Sequence, residues 1–100
     1  MAIYSLSYHL HEDGASRQRQ FGLMRAVHGV QRRYWDRTDN FVVFETAHTI
    51  DFLGGLLKSE INPKIDLFLL FEVGGSDAVV CGNNSDPDIL SILPKCRQIG

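Results

Sequence analysis

Hydrophobic and polar residues alternate over Ala2–Tyr8, with Tyr4, Leu6 and Tyr8 on one side and Ile3, Ser5 and Ser7 on the other. A period of two is that of a strand, whose successive side chains point to opposite faces. His9–Gly14 is polar and ends in glycine, so it predicts a loop, with Asp13 or Ser16 available to cap a following helix. Within Ala15–Val30 the period lengthens: Leu23, Met24, Val27 and Val30 recur at three- and four-residue spacing, with Phe21 beside them. Arg17, Gln18 and Arg25 take much of the remaining surface, as an amphipathic helix requires. Gln31–Arg37 and Phe41–Thr46 read as two strands joined by the turn residues Thr38-Asp39-Asn40. Thr49 is a candidate N-cap for a second helix, Ile50–Ile61, whose stripe is Ile50, Leu53, Leu57 and Ile61 and whose stop is Asn62-Pro63. Gly54 and Gly55 each weaken that helix by about 1 kcal/mol relative to alanine, and a close approach by another backbone would account for them. Ile65–Val73 is the most apolar strand, with Leu67, Leu69, Phe71 and Val73 on one face and Phe68 and Leu70 on the other. Gly74–Asp77 turns the chain into a short fifth strand, Ala78–Cys81. A loop, Gly82–Asp86, and a short helix, Pro87–Leu93, complete it.

This order predicts an α+β fold. Two right-handed split βαβ units give a ferredoxin-like βαββαβ sandwich with both helices on one face of the sheet and a short additional C-terminal strand. The 100 residues are room for one domain, with a core over about residues 2–82 and an extension over 83–100. In such a sandwich the second sheet face meets water, yet the fourth strand is apolar on both sides. An apolar patch of that size marks a partner, and a second copy of the chain is the simplest one.

Charge narrows the choice of partners. Ten Lys+Arg against twelve Asp+Glu leave a formal charge of −2, so binding to nucleic acid through the net field is excluded. A local patch remains: Arg17, Arg19, Arg25, Arg32, Arg33 and Arg37 are six of the ten cationic residues. Arg32, Arg33 and Trp35 set guanidinium groups beside an indole on one strand, the chemistry that holds a phosphate and stacks a base. They are the candidate contacts to DNA or RNA, with Arg17 and Arg19 as contacts to its backbone. Ordinary packing at a sheet edge produces the same residue pattern. No stretch approaches the length of a membrane span, Met1–Tyr8 lacks the pattern of a secretory signal, and Cys81 and Cys96 form no CxxC pair. These features predict a reduced, cytoplasmic protein with no membrane partner.

His9 and His11 flank Leu10 and are followed by Glu12 and Asp13. On a continuing strand their imidazoles point the same way, about 6–7 Å apart, a spacing that suits a transition metal given further ligands. Solvated loop histidines fit the same pattern. Tyr8 and His9 are the candidate catalytic groups, joined by His48 if the chain is a small enzyme acting on an apolar substrate. No phosphate loop and no nucleophile elbow is present.

The opening Ile3-Tyr4-Ser5-Leu6-Ser7-Tyr8-His9-Leu10 resembles the first strand of the small CRISPR adaptation subunit, the Cas two family, and more closely its stand-alone SinR-like relatives. Those chains begin with an apolar strand ending in Ser-Tyr-Asp-Leu. A helix, a hairpin with an aromatic near Trp35, a second helix and a strand like Leu67–Val73 follow. The resemblance covers residues 2–82 and implies a ferredoxin-like homodimer whose short fifth strand takes part in dimer exchange. For some members it also implies a divalent metal and nuclease activity, and for others a structural role on DNA. The acidic residue that ends the family's first strand is His9 here. Magnesium is a hard ion that takes carboxylate oxygen, whereas imidazole suits transition metals. The implied function is therefore a homodimer that engages nucleic acid with an altered or lost metal site. The alternatives are a non-catalytic protein-interaction module of a defence or toxin–antitoxin system, and the small dimeric enzyme.

Overall fold

The alternating N-terminal stretch forms β1 (Ala2–His9), the strand around which the sheet is built in the computed structural model, which describes residues 1–100. After it come α1 (Ser16–Val30), β2 (Arg33–Trp35), β3 (Phe41–Thr46) and α2 (Ile50–Lys58). β4 (Leu67–Glu72), β5 (Ala78–Gly82), α3 (Ile89–Ile92) and β6 (Cys96–Ile99) complete the chain. The fold is α+β, with one six-stranded mixed sheet in the order β2-β3-β1-β4-β5-β6. β1 pairs antiparallel with both β3 and β4, placing Ser5 opposite Val43 on one side and Phe71 on the other. Only the β5–β6 pair is parallel.

Both long helices cover the same face of the sheet. Tyr4, Leu6 and Tyr8 of β1, Val42 and Phe44 of β3, and Phe68 and Leu70 of β4 pack there against Leu23 and Val27 of α1 and Ile50, Leu53 and Leu57 of α2. The predicted faces of β1 and β4 are thus the observed ones. The Thr49 side chain caps α2 by accepting from the Phe52 N–H at 3.2 Å. α1 starts differently. Ala15 is its N-cap and makes no side-chain cap bond, while Asp13 accepts from the Ala15 N–H at 2.8 Å.

Three expectations are corrected. β2 is limited to Arg33–Trp35, because only those residues pair with β3. α2 ends at Lys58, three residues before Ile61. The C-terminal residues also return to the sheet as β6, a strand the sequence pattern did not show. β6 fills the free edge of β5, whose other edge is held by β4. β5 is therefore an interior strand of its own chain rather than a free edge offered for exchange. Ile99 of β6 explains Gly54: a Cβ at that position would come within 2.9 Å of the Ile99 Cδ1. A side chain, not a backbone, makes the close approach. At the end of β5, Gly82 has φ 111°, and any side chain there would collide with the Asp66 carbonyl.

Candidate functional site

Three regions outside the core carry chemistry. The first is a polar crevice of about 590 Å³ where β1 ends. Tyr8, His9, His11, Arg17, Gln20 and Asn40 line it, together with Glu12 and Ser16. The sequence-predicted Tyr8, His9, His11 and Arg17 are thus brought together. The Tyr8 hydroxyl accepts from the Gln20 amide at 3.3 Å. His48 is not part of this group. It lies near the start of β1, stacked on Phe52, with its carbonyl accepting from the Tyr4 hydroxyl. His9 and His11 gain no third ligand, because no group of three or more His, Cys, Asp or Glu side chains comes within reach of one ion.

Arg19, a predicted nucleic-acid contact, is committed inside the protein. Its Nε donates to Asp66 at 2.8 Å, and its Nη atoms reach Asp13 and the His11 carbonyl. Asp66 is fully buried and also accepts from the backbone N–H groups of His11 and Asn62. This network ties the end of β1, helix α1 and the loop before β4 to one carboxylate. The Arg19 guanidinium and the Ala15 N–H hold the Asp13 carboxyl below its ordinary value. Nothing in the spacing of Asp66 signals this role. A lone aspartate in the turn before an apolar strand becomes informative only once β1 and α1 are folded against it.

The second region is the sheet face without helices α1 and α2. Arg33 and Trp35 share it. Arg33 faces Glu45 across the β2–β3 pair and forks onto its carboxylate at 3.2 and 3.1 Å, which lowers the Glu45 pKa. Trp35 meets Phe41 edge-on at 6.5 Å between ring centroids and remains 48% exposed. Arg32 stands apart from both, its Nη1 at 3.9 Å from the Met1 sulfur. Across the rest of this face run Ile3, Val43, Phe41, Phe71 and Leu69. The Ser5 hydroxyl among them is buried without a hydrogen-bond partner. At the far side, α3 and its flanks cover part of β5 and β6. Ile89 and Leu93 pack on Ala78, Val80 and Cys96 there. Between that cover and the sheet lies an apolar cavity of about 410 Å³, with Asn84, Asp86 and Asp88 at its rim. The thiols of Cys81 and Cys96 are buried, on opposite faces of the sheet, and burial raises both pKa values.

The third region is the outer side of α1. The helix contains no acidic residue. Arg17, Phe21 and Arg25 follow at four-residue spacing, which sets them along one side. All three are exposed, Phe21 at 70%. Neither arginine is in an ion pair. Phe21, read from the sequence as lying beside the apolar stripe, faces solvent, and its position was readable. It stands two residues from Leu23, about 200° around a helix of 3.6 residues per turn. No helix of the chain is long and apolar enough to cross a membrane. Against known proteins, the chain matches no family model, no curated protein and no solved structure.

Proposed function

We propose that the chain is a ferredoxin-like binding protein that works as a homodimer through its helix-free sheet face and engages single-stranded nucleic acid along the outer side of α1. The order β2-β3-β1-β4, with both long helices on one face, is what a ferredoxin-like sandwich requires. It is also the arrangement implied by the Cas two and SinR-like resemblance. The homodimer is supported by the half-exposed apolar residues of the second face. The single observation that carries the nucleic-acid reading is the acid-free α1, with Arg17 and Arg25 unpaired on either side of an exposed Phe21. Guanidinium groups take phosphates, and an exposed ring offers a stacking plane worth about 1–3 kcal/mol per base. This keeps the predicted contact Arg17, adds Arg25, and sets aside Arg33 and Arg19, whose guanidiniums are already paired. Catalysis is not part of the reading, because His9 stands where a hard-metal ligand would be needed.

Fluorescence anisotropy with labelled single-stranded DNA and RNA tests it. Binding is expected at about 50 mM salt, with an affinity that falls steeply as salt rises. Arg17→Ala/Arg25→Ala should reduce the salt slope by about 1.4, since each lost phosphate contact on a single strand removes about 0.7. Phe21→Ala should weaken binding about ten-fold while leaving the melting temperature unchanged, because its ring is exposed. Absence of binding at low salt, or full binding by the doubly substituted protein, would overturn the reading.

A further inference from the structure

The cavity beneath α3 exists because small residues surround two large ones. Leu67 and Leu69 of β4 line it from the helix-free face of the sheet. In the register Leu67 lies opposite Gly82 of β5, and Leu69 lies opposite Val80. On the β1 side Leu69 lies opposite Ser7, and Leu67 lies opposite His9, the last residue of that strand. Gly82 brings no side chain, and its positive φ of 111° favours none. Ser7 fills little of the space beside Leu69. Ile89 then anchors α3 on the cluster of Ala78, Val80 and Cys96, and Ile92 forms a further wall. The enclosed space is about 410 Å³, within the range of small-molecule sites. Ile92 stays 70% exposed, apolar surface that packing within the chain leaves uncovered.

The rim is acidic, and the loop after β5 holds it in place. The Asn84 Oδ1 accepts from the Asp86 N–H at 3.2 Å, and the Asp86 Oδ1 accepts from the Asp88 N–H at 2.9 Å. Neither the Asp86 nor the Asp88 carboxylate is in an ion pair. An apolar interior takes hydrocarbon, and unpaired carboxylates at its rim take a cation. A neutral occupant would strip water from the carboxylates without replacing it. An anion would meet like charge. A metal ion lacks ligands, because no third His, Cys, Asp or Glu side chain comes within reach of the pair. An ammonium group on an apolar body satisfies both parts of the site, since it donates up to three hydrogen bonds at the rim while its body enters the cavity. The His9 imidazole, at the β1 end of the lining, can accept one more in its neutral form.

We propose that the cavity beneath α3 binds a small primary amine with an apolar body, an aromatic ring or a branched chain. Asp86 and Asp88 hold the ammonium group, and Leu67, Leu69, Val80 and Ile92 cover the body. The cavity lies within one chain and takes this ligand without the homodimer or nucleic acid of the preceding section.

Methyl NMR of the Leu, Val and Ile side chains, titrated with phenethylamine, tests the site. The Leu69, Val80 and Ile92 methyl signals should shift saturably, with a Kd of about 1 mM or below for a ligand of this size. Phenethyl alcohol has the same body without the charge and should bind about ten-fold more weakly. Hydrocinnamate has a similar body with the opposite charge and should give no saturable shift. Asp86→Asn/Asp88→Asn removes both charges while keeping an Oδ1 for the Asp88 N–H, and Asp88 makes no side-chain cap bond, so the fold should stay intact by circular dichroism. In that protein the affinity for phenethylamine should fall about ten-fold, to the level of the alcohol. Three results would each overturn the proposal: no saturation by phenethylamine at about 10 mM, equal binding of all three probes, or undiminished amine binding by the doubly substituted protein.

Discussion

The two faces of β4 carry nearly the same residues and meet different fates. Phe68 and Leu70 point toward α1 and α2 and are fully buried. Leu67, Leu69 and Phe71 point the other way and are only partly covered, by neighbouring strands and by the short α3 segment. The same contrast runs across the sheet. Leu6 and Phe44 are fully buried on the helix side, while Ile3, Trp35 and Val73 on the other are 38%, 48% and 48% exposed. Composition therefore does not decide which face is the core of the monomer. What packs on top does. The helix side has two amphipathic helices to cover it. The second side has four residues of α3 at one margin, and the remainder has no cover within the chain.

Truncations on the two faces should accordingly differ. Phe68→Ala empties a fully buried site and should cost about 3–5 kcal/mol. Leu69→Ala, one residue away on the partly covered face, should cost the isolated chain about 1 kcal/mol and act mainly on association. Chemical denaturation at low protein concentration measures both, and equal losses would erase the distinction between the faces.

Asp66 sharpens the comparison, because its side chain fastens the helix side. Asp66→Ala leaves Arg19 and two backbone N–H groups without their acceptor and should cost about 3 kcal/mol or more. Arg19→Met, which removes the charge but keeps much of the stem, should cost less. Similar denaturation midpoints for the native and Asp66→Ala proteins would show that the latch does not hold the fold.

The smallest expected effect lies on the second face. The Ser5 hydroxyl is buried with no partner, a situation that costs about 1–3 kcal/mol relative to a satisfied group. Ser5→Ala removes that hydroxyl while leaving a small side chain at the same place. Stability should stay level or rise by about 1 kcal/mol, and dimer formation should be retained. A marked loss of stability would mean that the hydroxyl has a partner, by way of water or the second copy.

How far this was legible follows from the range over which each signal acts. β1, α1, β3, α2, β4 and β5 announce themselves locally, by a period of two or of 3.6, by the Thr49 cap and by the turns at Asp39-Asn40 and Gly74–Asp77. β6 does not. Cys96–Ile99 is four residues without clear alternation, and its parallel pairing with β5 depends on the intervening α3 segment folding back. The short β2 has the same cause, since its limits are set by which residues of β3 reach it. Among the site residues, the gathering of Tyr8, His9, His11 and Arg17 at the end of β1 followed from the strand and the helix start. The use of Arg19 did not, because its partner Asp66 lies 47 residues away. The outward side of α1 was open to reading by counting 100° per residue and noting the absence of acidic residues. The cavity beneath α3 was not, because it exists only where residues 83–92 lie across β4 and β5.

The central claim is that the second face is an interface, and sedimentation equilibrium on the native chain and on Val43→Lys tests it most directly. Val43 is a partly covered residue of β3 on this face, so lysine there should leave the monomer folded while placing a charge in the contact. The account expects the native chain to sediment at twice its 11.3 kDa at micromolar concentration and above. It expects the Val43→Lys protein, folded by circular dichroism, to remain at 11.3 kDa. A native chain that stays at 11.3 kDa up to hundreds of micromolar, or a Val43→Lys protein that dimerises as well as the native one, would contradict it.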